Sequence, residues 1–182
     1  MSRKARRAPR GRRKTAVMNT MAVGDKVTKI VVGLDGSERS IAALRRAAVL
    51  ADALGARIHL VAVWQYPSIG AGAYPVDAEL FESWARDSIG EAKTKVWGAT
   101  PPGSLTALVR NGSPARVLIE ESRDADMLVV GSRGHGGFAG LMLGSVSMAV
   151  AEHAKCPVLV VHDAPVAAQP VDEPPVAASA RN

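Results

Sequence analysis

The residues best suited to chemistry form a glycine-rich loop between a short apolar run and a helical pattern. The run at residues 127–130 is rich in β-branched residues and too short for a helix, so it predicts a buried strand. Ser145 is the expected N-cap of the helix that follows and continues through Val150. The glycines between them are Gly131, Gly134, Gly136, Gly137, Gly140 and Gly144. This arrangement suits an anion such as phosphate, because backbone N–H groups and the helix dipole converge where glycines let a ligand come close.

The loop does not match two common phosphate-binding patterns. It contains no lysine, so the pattern G-x-x-x-x-G-K-[ST] is excluded. The dinucleotide pattern G-x-G-x-x-G is broken at Gly134, and the loop does not lie in the first strand–helix unit, where that pattern belongs. A plain surface loop is the alternative, but the buried strand and capped helix that frame the loop favour a phosphate site.

The spacing that is present is Gly131, two residues, Gly134, nine residues, then Gly144-Ser145. It resembles the nucleotide-binding signature of the universal stress protein family. The run I-V-V-G-L-D-G-S-E-R-S at residues 30–40 and the run C-P-V-L-V-V at residues 156–161 resemble that family's first and last strands. The resemblance covers residues 26–162. It implies an α/β fold with an open five-stranded parallel sheet in the order 3-2-1-4-5, helices on both faces, and a Rossmann-like site at the carboxyl ends of strands 1 and 4.

The same resemblance implies that the ligand is ATP, with Mg²⁺, and gives roles to individual residues. In the first two strands, Gly33 and Asp35 line the nucleotide, and Val63 offers backbone groups to the adenine edge. Gly131 and Gly134 form the ribose and phosphate turn, and Gly144 completes the motif. The N–H groups of Ser145, Val146 and Ser147, with the serine hydroxyls, take the terminal phosphates. A bulky residue at Gly131 or Gly134 is therefore expected to remove ATP binding while the protein stays folded.

For three side chains near this site, the sequence is compatible with two different roles. The Asp35 carboxylate is placed to accept from a ribose hydroxyl or to help hold a metal ion. It is equally placed to form an Asx turn or a helix cap, and both roles are compatible. Arg133 and His135 either add charge to the site or face solvent, and the sequence leaves that open.

The elements expected to position these residues alternate regularly along the chain. Apolar runs predict strands at residues 29–34, 56–64, 105–109, 127–130 and 158–161. Helical patterns lie between them, beginning at Ser37 or Ser40, at Asp77, at Ser113-Pro114 and at Ser145, and residues 66–76 read as a mobile loop. Such alternation implies parallel strands with right-handed crossovers, and strands so apolar imply helices on both faces. The pattern alone leaves the strand order open.

Charge is distributed unevenly over the chain. The formal net charge is +6 over 182 residues, but eight of the 23 basic residues precede Asp25, where no acidic residue occurs. We expect a disordered basic tail at residues 1–24, one folded domain at 26–162, and a disordered Pro/Ala-rich tail at 164–182. Three interpretations of the basic tail are open. It is a solvated extension, it is absent from the protein because translation starts at Met18 or Met21, or it makes a weak, nonspecific contact with nucleic acid.

Composition and motifs exclude several classes of function. Cys156 is the single cysteine, which fits buried packing and a cytoplasmic location, and no apolar run is long enough to span a membrane. Paired metal ligands and a nucleophile elbow are missing, the four histidines are scattered, and Trp64, Trp84 and Trp97 read as packing residues. We therefore predict no catalytic residues and no protein metal site. The expected function is an ATP-binding stress-response or signalling protein; a slow ATPase or nucleotidyl transferase is the alternative.

The sequence of the fifth strand predicts that two copies of the chain associate. In the order 3-2-1-4-5 it lies at an edge, and residues 157–161 are apolar and β-branched with no lysine among them. An open edge of this kind promotes aggregation unless it is covered. We therefore expect a homodimer paired through the fifth strand, as the family resemblance also implies. A tail folded back from Ala164 is the alternative cover.

Overall fold

Strands and helices alternate through the part of the chain that can be described. The computed structural model describes residues 26–66, 77–135 and 143–162. Within them the elements are β1 (Lys29–Leu34), α1 (Glu38–Leu54), β2 (Arg57–Trp64), α2 (Ala78–Trp97), β3 (Thr106–Asn111), α3 (Pro114–Glu121), a 3₁₀ turn (Ser122–Asp124), β4 (Met127–Gly131), α4 (Ser145–His153) and β5 (Val158–Val161).

The strands form one parallel sheet in the order β3-β2-β1-β4-β5, which confirms the predicted fold class. β1 pairs with β2 on one side and with β4 on the other. The connections after these two central strands therefore leave in opposite directions. A crevice opens between them at the carboxyl edge of the sheet, where ligands bind in open α/β folds.

Two hydrophobic clusters hold the helices against the sheet, one on each face. α1 and α2 pack through Ile41, Leu44 and Ile89 against one set of strand side chains. α3 and α4 pack through Leu118 and Val150 against the alternate set. This explains why the central strands are almost wholly apolar: successive side chains point to opposite faces, and a helix covers each face.

The edge strand β3 departs from the expected pattern. It begins at Thr106 and extends through Arg110 and Asn111, which pair with Val63 and Trp64 of β2. Half of its residues are exposed. An apolar run marks burial, so it did not reveal that this strand continues into the polar residues Arg110 and Asn111.

Helix ends were predicted with mixed success. Ser37 caps α1 and Asp77 caps α2, each accepting from a backbone N–H group of the first turn. The prediction that Ser145 caps α4 was wrong: Gly144 is the N-cap and Ser145 is the first helical residue. α3 ends at Glu121, before the 3₁₀ turn.

The packing role predicted for the tryptophans holds only in part. Trp64 and Trp97 pack against the core, whereas Trp84 is 55% exposed and meets Phe81 edge to face at 5.3 Å. The expected basic tail, the Pro/Ala-rich tail, and the loop beyond Tyr66 lie outside the described residues, as do Gly136, Gly137 and Gly140. Of the helices in the described ranges, none combines the length and apolar character that a membrane span requires.

Candidate functional site

A cavity of about 430 Å³ lies in the crevice between the carboxyl ends of β1 and β4. The structure brings all nine residues of the predicted site together around it. They are Gly33, Asp35, Val63, Gly131, Gly134, Gly144, Ser145, Val146 and Ser147. Four separate stretches of sequence thus meet in one place, because the switch in strand order points β1, β2, β4 and α4 at the same edge.

Further residues complete the cavity wall. The lining also includes Leu34, Ser40, Val61, Gln65, Pro114, Leu118, Val130, Arg133 and His135. Arg133 and His135, whose role the sequence left open, are both among the residues that line the cavity. Val61 shares a strand face with Val63 at a period of two, a signal present in the sequence, and Gln65 directly follows β2. Pro114 and Leu118 belong to α3. The sequence pattern did not predict that this helix lines the cavity.

Asp35 bridges the two sides of the crevice. Its Oδ1 accepts hydrogen bonds from the Ser37 backbone N–H at 3.0 Å and from the Ser37 hydroxyl at 2.6 Å. Its Oδ2 lies against Gly134, where a Cβ atom would overlap it. The Asx turn expected at this residue is therefore present, and it occupies only one carboxylate oxygen. The other oxygen stays at the cavity.

The glycines of the β4 loop permit close backbone approach. A Cβ at Gly131 would lie 2.8 Å from the Arg39 carbonyl carbon and 2.9 Å from its oxygen. A Cβ at Gly144 would lie 3.3 Å from Arg133 Cα, and the Gly144 N–H donates to the Ser132 carbonyl at 2.7 Å. Gly131 is thus required for packing against α1, so a larger residue there strains the fold. This corrects the expectation that Gly131 and Gly134 are equally replaceable in the folded protein.

The N-terminus of α4 faces the cavity through Ser145, Val146 and Ser147. These three precede the first intrahelical bond, which Met148 N–H makes to the Gly144 carbonyl at 2.9 Å. N–H groups at such positions have no partner within the helix and are suited to bind an anion. The Ser147 hydroxyl is already used: it is buried and donates to the Gly131 carbonyl at 2.7 Å. This hydrogen bond joins the end of β4 to the first turn of α4.

At the end of β2, one backbone carbonyl, that of Val63, is directed toward the crevice. The Trp64 carbonyl faces β3, where it accepts from the Gly112 N–H at 2.9 Å. Successive residues of a strand direct their backbone groups to opposite edges. The Val63 carbonyl therefore faces the β1 side, and the β1–β2 ladder ends at Leu34 and Ala62. An acceptor is thus directed into the crevice.

The perturbed titrating groups lie away from the cavity. Burial and the charge of Lys29 lower the pKa of His59, with Glu121 acting in the opposite direction. Its Nδ1 lies 2.8 Å from the Thr106 hydroxyl, which makes it a sheet-face residue. Burial, with a smaller effect of Asp126, raises the pKa of the Cys156 thiol to about 11, which favours packing over thiolate chemistry. Among the described residues, no three His, Cys, Asp or Glu side chains are grouped to hold a metal ion.

Known proteins with similar sequences share one family. The model of the Universal stress protein family matches residues 26–162. A universal stress protein of Mycobacterium tuberculosis (strain H37Rv) is 33% identical over 135 residues, covering 74% of this chain and 45% of that protein. One from Mycolicibacterium smegmatis is 39% identical over 142 residues, covering 73% and 47%. The chain spans about half the length of these curated relatives.

Solved structures give the same fold. UspA from Lactobacillus plantarum superposes with a TM-score of 0.62 at 22% identity, covering 76% of this chain and 99% of that one. A universal stress protein in complex with cAMP superposes with a TM-score of 0.59 at 28% identity, covering 77% and 100%. Because the family model matches residues 26–162, more than half of the sequence, this chain belongs to the Universal stress protein family.

Proposed function

We propose that this chain is a nucleotide-binding stress-response protein whose cavity takes ATP with Mg²⁺, and that nucleotide occupancy is its signal. The observation that carries the proposal is the convergence on one cavity of a carboxylate, a glycine turn, a helix N-terminus and a strand carbonyl directed into the crevice. Its volume falls within the range of small-molecule sites, roughly 300–1,000 Å³. The similar structure that holds cAMP supports an adenine nucleotide as the class of ligand.

Each part of the cavity suits one part of ATP. The Val63 carbonyl is placed to accept from the adenine amino group, beside the apolar wall of Val61 and Leu118. The Asp35 Oδ2 is placed to accept from a ribose hydroxyl. The phosphates would lie over the α4 N-terminus, where Ser145 and the other first-turn N–H groups attract anions.

Positive and negative groups at the cavity fit a metal-bound triphosphate. Mg²⁺ is usually held by one or two carboxylates together with substrate phosphates and water. Asp35 is the acidic residue of the described lining, but its Oδ2 is proposed for the ribose, so phosphate and water oxygens would hold the ion. Bound there, the ion would offset part of the phosphate charge. Arg133 adds a fixed positive charge on the opposite wall.

The same lining favours binding over turnover. A general base must be free to accept a proton from the attacking water. Asp35 is engaged at Oδ1 by two hydrogen bonds from Ser37 and its Oδ2 is proposed for the ribose, and the described lining offers no second carboxylate to orient a water. We propose hydrolysis that is at most slow, so that the nucleotide acts as a bound signal.

We also propose that the protein is a homodimer paired through β5. This strand lies at the sheet edge and bonds to β4 on its inner side. Its four residues are each only half-buried, and all are apolar. A second copy across a two-fold axis would satisfy the outer backbone groups and cover the valines.

Calorimetric titration of the purified protein with Mg-ATP tests the nucleotide proposal. We expect saturable binding with one nucleotide per chain, and phosphate release far slower than nucleotide exchange. A parallel titration with cAMP ranks the two nucleotides. Absence of binding at millimolar Mg-ATP overturns the proposal, and rapid turnover overturns its signalling form in favour of an ATPase.

A further inference from the structure

One hydroxyl group joins the cavity carboxylate to the start of a helix. The Ser37 hydroxyl donates to Asp35 Oδ1 at 2.6 Å and accepts from the Ser40 backbone N–H at 3.2 Å. The Ser40 hydroxyl in turn donates to the Ser37 carbonyl at 2.8 Å. Ser40 is buried and lines the cavity. The α1 cap and the Asp35 carboxylate are therefore parts of one network.

That network fixes which carboxylate oxygen meets the ligand. Two donors from the same residue, the Ser37 N–H and hydroxyl, converge on Oδ1. Within the described residues Oδ2 makes no hydrogen bond and lies against Gly134 at the cavity. Without the hydroxyl, a single backbone N–H would hold an exposed carboxylate, and a carboxylate held so weakly rotates among several orientations.

We propose that Ser37 is a positioning residue that sets a preference for ribonucleotides over deoxyribonucleotides. By holding Oδ1, its hydroxyl keeps Oδ2 aimed at the ribose, where the oxygen accepts from a sugar hydroxyl. A hydrogen bond to a charged acceptor is worth more than a neutral one. A bound sugar that lacks the hydroxyl would cover the carboxylate without pairing it, which is how a polar site rejects a close analogue.

This inference rests on the proposed binding of ATP in the same cavity. The test measures dissociation constants for ATP, 2′-deoxy-ATP and 3′-deoxy-ATP on the wild type, Ser37→Ala and Ser37→Thr. The wild type should bind ATP on the order of tenfold more tightly than at least one deoxy analogue, as expected for one charge-assisted hydrogen bond. Ser37→Ala should bring that ratio towards one. Ser37→Thr keeps a hydroxyl that both caps and donates, so it should restore the ratio.

A matched variant separates positioning from loss of a helix cap. Asp77 caps α2 by accepting from the Glu79 N–H at 2.9 Å, away from the cavity. Asp77→Ala should lower the melting temperature as Ser37→Ala does while leaving the ATP to deoxy-ATP ratio unchanged. The inference is overturned if the wild type binds all three nucleotides equally, or if Ser37→Ala keeps the wild-type ratio. Failure of the wild type to bind ATP at all instead overturns the proposed function.

Discussion

At the scale of single residues, Gly134 offers the cleanest test of the site. A methyl group there would overlap the Asp35 Oδ2, so the carboxylate must turn away from the cavity. Gly134 lacks the positive φ that would make a side chain costly in itself. We expect Gly134→Ala to weaken ATP binding about tenfold, the loss of one charge-assisted hydrogen bond, with little change in melting temperature.

The control for Gly134 is a glycine with open space around it. A Cβ at Gly103 meets no atom within 4 Å, and its φ is not positive. Gly103→Ala should leave both the ATP affinity and the melting temperature unchanged. Equal ATP affinities for Gly134→Ala and the wild type would contradict the placement of the ribose beside Asp35.

Gly131 should respond differently, because its neighbour is backbone. The Arg39 main chain lies closer to a Cβ at this position than ordinary contacts allow, so β4 and α1 must separate. Overpacking of this kind costs about 1–3 kcal/mol. We expect Gly131→Ala to lower the free energy of unfolding measured in urea without nucleotide. A stability equal to that of Gly134→Ala would show that the Arg39 contact is unimportant.

At the scale of elements, Asp126 joins the start of β4 to the start of β1. Its Oδ2 accepts from the Thr28 N–H at 2.7 Å, the Thr28 hydroxyl at 2.9 Å and the Lys29 N–H at 3.0 Å. Hydrogen bonds from the Thr28 and Lys29 backbone hold the pKa of the Asp126 carboxyl below its usual value, against the opposing effect of desolvation. The folded form therefore favours the carboxylate.

Because the folded pKa is the lower one, this stabilisation is complete above the unfolded pKa of about 3.9 and is lost as the pH falls through the folded value. Asp126→Asn should lower the free energy of unfolding near neutral pH on the order of 1 kcal/mol, a figure reduced for solvent screening. The difference from the wild type should shrink below about pH 3 in urea unfolding. A difference independent of pH would contradict the role of the charge.

The elements also show what a sequence can predict. The bounds of β1 and β5 were predicted to the residue, since each is an uninterrupted apolar run between turn residues. The cap of α4 was predicted one residue late. Serine is a common N-cap, but Gly144 must pack against Arg133 and already has the extended conformation of a cap. That contact is tertiary, so local propensity does not reveal it.

At the scale of the whole molecule, the complete lining of the cavity could be predicted only once the strand order was known. Glycine spacing and Asp35 identified its β1 and β4 sides. Pro114 and Leu118 escaped prediction because α3 reaches the cavity only after β3 is placed beside β2. Likewise, the engagement of the Ser147 hydroxyl by the Gly131 carbonyl depends on a contact across 16 residues. Residue type indicates what a side chain is able to donate, whereas the fold determines its partner.

The proposed dimer predicts a difference between the two sheet edges. Val160 lies on β5, and Ala107 lies exposed on β3 at the opposite edge. A lysine at Val160 would place a charge in the proposed interface, so Val160→Lys should give monomer or aggregate. Ala107→Lys should leave the assembly unchanged. Light scattering after size exclusion measures both masses, and a monomeric wild type at micromolar concentration would contradict the pairing.

The central claim, that the crevice between β1 and β4 binds ATP, is tested most directly by equilibrium unfolding with and without Mg-ATP. A ligand that binds only the folded state stabilises it by mass action, by roughly 2.7 kcal/mol at a hundredfold excess over the dissociation constant. We predict that gain for the wild type and for Gly103→Ala, and a clearly smaller gain at the same ATP concentration for Gly134→Ala. Equal stabilisation of all three proteins, or none in the wild type at millimolar Mg-ATP, would contradict the claim.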